Sequence, residues 1–180
     1  MLLQRDESVL LVIDIQERLL PAMDDPRMVV EHSGILLQAA SELAVPIIVS
    51  EQYPKGLGLT VSPLRELAAG GRIFEKMAFS CADEPPILQH LKSLGRRQLL
   101  LCGIEAHVCV LQTALGLRRE GYDVFVAEDA ISSRAPGNMA AGRRRMTANN
   151  IEMVSTEMVV FEWLQIAGTP EFRTLSKLIK

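Results

Sequence analysis

The chain has 180 residues, 48% of them hydrophobic and 23% charged, with a formal net charge of −3. That length supports one domain whose core removes roughly 70% of the extended-chain surface from water. The acidic balance argues against nucleic acid as a partner, and three cysteines in a chain this long exclude a secreted disulfide framework. The N-terminal MLLQRDESVLL places charges where a signal peptide needs its apolar core. No apolar run reaches the roughly 18 residues of a membrane span, so the expectation is a cytoplasmic protein with reduced thiols and no membrane partner. Arg143, Arg144 and Arg145 form the strongest basic cluster and read as a solvated helix face.

Taken in chain order, short runs rich in Val, Ile and Leu alternate with longer stretches of helical spacing. SVLLVID (8–14), VPIIVS (45–50), RIFEK (72–76), RQLLLCG (97–103), YDVFVAED (122–129) and IEMVS (151–155) read as six strands. Their nearly continuous apolar character predicts strands covered on both faces, as in a parallel sheet. Helices are predicted over 29–43, 86–94, 108–119, 139–149 and 156–167, with Gly95 and Gly121 near helix ends. The alternation predicts a doubly wound α/β fold, a six-stranded mostly parallel sheet with helices on both faces, in one domain over residues 1–180.

Ligands of such folds bind beyond the carboxyl ends of the strands. Asp14 follows the first strand, Lys76 ends the third, and GIEAHVC, residues 103–109, follows the fourth. Three unlike groups distant in sequence therefore share one sheet edge. The first strand–helix turn, DIQERLLPAM, has no glycine and no GxxxxGK[ST] occurs, which disfavours a dinucleotide or nucleoside triphosphate. Cys109 sits where a helix begins, so backbone N–H groups, the helix dipole and a nearby lysine are expected to lower the thiol pKa. A small core cysteine is the competing reading. Cys102, inside a strand, reads as core; Cys81, in a loop, reads as structural or incidental.

VIDIQ with Asp14, FEKMAFS with Lys76 and GIEAHVCV with Cys109, in this order and spacing, resemble the isochorismatase-like cysteine hydrolase superfamily. That group includes nicotinamidases and N-carbamoylsarcosine amidohydrolases. DAISSR (129–134) fits as well, and EQYPKGLG (51–58) resembles the isochorismatase-domain branch found in bacteria and eukaryotes. The resemblance implies Cys109 as nucleophile on a carbonyl carbon, Asp14 as general base and then acid, and Lys76 as the residue that orients both. It implies an oxyanion hole from the backbone N–H groups of Glu105 and Cys109, and a cis peptide at Ile104–Glu105. It also implies a homo-oligomer, for which segment 153–161 and the tail residues Phe172, Leu175, Leu178 and Ile179 offer apolar surface.

Nicotinamidases carry an Asp-x-His…His metal site after the second strand, whereas EQYPKGLGLTV holds no histidine. His32, His90 and His107 have no ligand spacing with one another, so neither metal nor cofactor is expected. Isochorismatases proper cleave a vinyl ether and lack the cysteine. The reading is a hydrolase of a small amide, ureide or carbamoyl compound, acting through a thioester-type intermediate. The alternatives are vinyl-ether hydrolysis with Cys109 a bystander, or a non-catalytic member binding a metabolite or protein. Gln16, Gln52, Tyr53, Phe79 and His107 are expected to line the substrate pocket; for His107, capping the helix is the competing role. Glu105 is expected to meet a substrate amide or an adjacent subunit.

Overall fold

The computed structural model describes residues 1–179. Six strands, β1 (Ser8–Ile13), β2 (Ile47–Gln52), β3 (Arg72–Lys76), β4 (Gln98–Ile104), β5 (Asp123–Ser132) and β6 (Glu152–Val154), form one sheet. Its order is β3-β2-β1-β4-β5-β6 and every pairing is parallel. β1, β2 and β4 are buried along their whole length, which is why they read as unbroken apolar runs.

The helices are α1 (Pro26–Glu42), α2 (Pro54–Leu57), α3 (Ser62–Leu67), α4 (Pro85–Leu94), α5 (Leu111–Arg119), α6 (Pro136–Thr147), α7 (Thr156–Leu164) and α8 (Pro170–Leu175). Proline sits in the first turn of six of them, where its missing N–H costs nothing. Asp25 and Ser155 accept the backbone N–H groups of Met28 and Met158, fixing where α1 and α7 begin.

Strand parity assigns the core. Leu10, Val12, Leu100 and Phe125 face a layer built by α1, α3, α7 and α8, with Leu36, Val159, Val160 and Trp163 against the sheet. Val9, Leu11, Ile13, Leu99 and Leu101 face the opposite layer, where α4, α5 and α6 contribute Ile87, Ala114, Leu117 and Met146. The order runs outward from β1 in one direction and from β4 in the other. The crevice between their carboxyl ends is therefore the topological switch point, where this architecture leaves room for a ligand.

Several elements depart from the expected boundaries. β5 continues to Ser132, three residues beyond the predicted end. The helix expected over 108–119 is entered through a π-helical turn, Ala106–Val110, and becomes α-helical only at Leu111. α2, α3 and α8 were not predicted, because four to six residues are too few to show a helical period. No helix among the described residues is long and apolar enough to cross a membrane.

Candidate active site

The residue after β1, Asp14, takes a left-handed conformation (φ 53°) that turns its side chain into the crevice. Lys76 closes β3, two strands away across β2. Its long side chain passes under β2 and brings Nζ to 2.7 Å from Asp14 Oδ2, and neither side chain is exposed. The ammonium directs hydrogen bonds to Gln52 Oε1 (2.6 Å), the Phe79 carbonyl (3.1 Å) and the Ala78 carbonyl (3.2 Å). Asp14 Oδ2, at 2.7 Å, is nearer the ammonium than either carbonyl, and the two groups form a close buried ion pair that favours the charged form of each. The other carboxylate oxygen accepts from Ser50 Oγ at 2.7 Å.

Cys109 lies in the π-helical turn, 6% exposed, with its thiol facing the Asp14 carboxyl group. The expectation of an acidified thiol is overturned. Burial and then the Asp14 carboxylate push Cys109 up to about 12, against the pull of Lys76. The lysine charge is already answered by Asp14, and Cys109 is inside the fourth residue of its turn rather than at the mouth of an α-helix. Asp14 is likewise raised, by burial, despite the opposing effects of Lys76 and Ser50. Burial works against the Lys76 cation, but the Asp14 carboxylate outweighs it and holds the ammonium above the ordinary lysine value.

The Ile104–Glu105 peptide is cis. The Glu105 carbonyl accepts both Val108 N–H and Val110 N–H, which winds the turn that carries Cys109. Its carboxylate is held by Arg134 N (3.0 Å) and Arg134 Nε (3.1 Å). This ties the DAISSR segment to the turn. In the same segment Asp129 accepts from the backbone N–H and hydroxyl of Thr156, at the start of α7.

Of the five side chains expected to line a pocket, Gln16 and Gln52 have their amides engaged within the chain. Gln16 is wholly buried; its Nε2 donates to the Gln52 and Gly58 carbonyls and its Oε1 accepts Gln52 N–H. Its amide is a brace with no donor left for a ligand. Phe79 is 54% exposed, and its contribution to the site is its carbonyl. His107 pairs through Nδ1 with Ser133 Oγ at 2.9 Å. Gln52 points at Lys76. Tyr53 does line a cavity of about 270 Å³, together with Met77, Glu84 and the Lys76 end of β3, but neither Asp14 nor Cys109 borders it.

One residue that sequence reasoning passed over, Ser50, belongs to the site; it was legible as a polar residue in a buried strand, which must have a partner. Cys81 is a buried structural residue: it is fully buried, pushed up to about 11 by burial and then by Asp14, and its backbone N–H donates to Thr113 Oγ1.

Residues 8–158 match the isochorismatase domain family. The secreted isochorismatase effector Isc1 of Phytophthora sojae is 40% identical over 96% of this chain and 84% of its own length. Among solved structures, one described as MAR1 ribonuclease from Caenorhabditis elegans superposes with a TM-score of 0.93 at 36% identity, covering 99% of this chain and 92% of that one. The YcaC product of Escherichia coli, described as an octameric hydrolase of unknown specificity, gives a TM-score of 0.93 at 22% identity, covering 99% and 90%.

Proposed function

Since the chain belongs to the isochorismatase family of hydrolases, we propose that it is a cysteine-dependent hydrolase of a small amide, ureide or carbamoyl compound. The observation that carries this reading is the buried Asp14–Lys76 pair, 2.7 Å apart, with the Cys109 thiol against the same carboxyl group.

In this mechanism Asp14 takes the Cys109 proton as sulfur bonds to the substrate carbonyl carbon. The carbonyl oxygen becomes an oxyanion held by the backbone N–H groups of Glu105 and Cys109. Protonated Asp14 returns its proton to the leaving nitrogen, the C–N bond breaks, and a thioester remains on Cys109. A water then attacks the thioester, Asp14 accepting its proton and passing it to the departing sulfur. Lys76 keeps its positive charge throughout and balances Asp14 when the carboxyl is ionised.

The test is to incubate the protein with small amides, ureides and carbamoyl compounds and search for an acyl mass on Cys109 that hydroxylamine releases. Cys109→Ala should abolish both adduct and turnover. Full turnover by that variant on the substrate so found would overturn the reading in favour of a bystander cysteine, as in vinyl-ether hydrolysis.

The proposal extends to a cytoplasmic protein whose three cysteines are all free, assembled from several copies as the E. coli relative is described. Met158 and Phe161 remain 52% and 44% exposed. Sedimentation should give a mass of at least two chains, and Phe161→Asp should reduce it.

A further inference from the structure

We propose that Gln52 is a positioning residue: its side-chain amide shares the Lys76 ammonium with Asp14 and thereby sets how strongly that carboxylate is paired and how readily it takes the Cys109 proton. The inference rests on the reading of Asp14, Lys76 and Cys109 as a triad. An ammonium has three protons, and here the Asp14 carboxylate, the Gln52 amide oxygen and two backbone carbonyls share them. The Gln52 contact is the shortest of these, at 2.6 Å. Without it, the ammonium turns more fully onto Asp14 Oδ2, which lies 2.7 Å from Nζ and is wholly buried. A stronger ion pair there stabilises the carboxylate and lowers its basicity toward the thiol proton.

The amide is held in the one orientation that serves this purpose. Gln52 Nε2 donates to the Met77 carbonyl at 2.9 Å, so Oε1 must face Lys76. The Gln52 backbone is clamped on both sides by Gln16, which accepts its N–H at 2.8 Å and donates to its carbonyl at 3.0 Å. Gln52 and Lys76 are also register partners across β2 and β3, so the amide and the ammonium leave the sheet side by side. A buried glutamine with both amide atoms engaged and its backbone bonded to a second buried glutamine is specified far beyond filling space.

The charge of the group matters as much as its place. A neutral acceptor engages the ammonium without competing electrostatically with Asp14. A carboxylate at this position would share the Lys76 charge and add a negative charge near Asp14 and Cys109. Gln52→Leu and Gln52→Glu should therefore act in opposite directions on the acidity of Asp14. In Gln52→Leu the released ammonium proton binds Asp14 Oδ2 and makes the carboxyl a weaker base. In Gln52→Glu the weakened ion pair makes it a stronger one.

The readout needs no substrate: the rate of Cys109 alkylation by iodoacetamide, followed by mass spectrometry from pH 4 to 9, with Asp14 serving as proton acceptor. The acid limb should move down by about half a pH unit or more in Gln52→Leu and up by at least as much in Gln52→Glu. On any amide that the wild type turns over, Gln52→Leu should lower kcat about 10–100-fold with KM within about twofold. Limbs that coincide with wild type, or that move together, would overturn the inference. Should Gln52→Glu fail to fold, Gln52→Asn, which withdraws the amide by one methylene, must reproduce the downward shift. Because alkylation reports on the triad without turnover, loss of the amide-hydrolase reading leaves this test intact.

Discussion

Cys109 enters the proposed cycle as a thiol. With its proton affinity pushed up to about 12, only about one part in 10⁵ is ionised at pH 7. Alkylation at that pH must then draw on Asp14 as proton acceptor, and Asp14→Asn should slow it at least about tenfold. Cys81 and Cys102 are fully buried and pushed up to about 11 and about 12, so peptide mapping should find them unmodified until denaturant is added. Asp14 is raised by burial, and only its ionised form can accept the thiol proton. Activity should therefore be present above that raised value and fall as the pH drops through it. The acid limb of kcat/KM should lie above the ordinary aspartate value of about 4. A profile that stays flat down to pH 4 would show that some other group removes the proton.

At the scale of elements, the site depends on how closely β1 and β4 approach at the switch point. Gly103 is the register partner of Ile13, immediately before Asp14. A Cβ on Gly103 would lie 2.0 Å from the Ile13 carbonyl oxygen, and its φ of +122° is one that other residues rarely adopt. Gly103→Ala should destabilise the fold by about 3 kcal/mol, read as a lower urea midpoint at an unchanged m-value. A midpoint at the wild-type value would mean that the two strands separate without cost. The identity of β1, β2 and β4 was legible because burial on both faces leaves an unbroken apolar run, and the five longer α-helices α1, α4, α5, α6 and α7 were legible from their 3.6-residue period. The π-helical turn was not, since AHVCV fits the same apolar spacing in either winding. Nor was the direction of each polar side chain. Gln16, Gln52 and Ser50 lie near the carboxyl ends of β1 and β2, and only the packed structure decides which of them braces backbone, which holds an ammonium and which binds a carboxylate.

For the molecule as a whole, the two core layers divide the work. Cys109 and the α5 turn pack into one, whereas α8 closes the other, with Leu175 buried there and Leu178 and Ile179 packed against it. The tail was expected either to join subunits or to pack within the monomer; Leu175 is buried in the chain's own core, and Phe172, Leu178 and Ile179 stay partly exposed. The pattern of those residues could not decide this, because a short amphipathic segment presents the same stripe to its own core as to a neighbour. The layered arrangement separates stability from chemistry. Leu175→Ala should cost about 2–4 kcal/mol by leaving a cavity beneath α1 and α7, a large fraction of a typical domain's stability of about 5–15 kcal/mol. Below the shifted melting transition, Cys109 should still be alkylated at the wild-type rate, because no hydrogen bond of the triad passes through that layer. A Cys109 rate that falls in proportion to the lost stability, at temperatures where the variant is fully folded, would mean that α8 also sets the geometry of the crevice across the sheet.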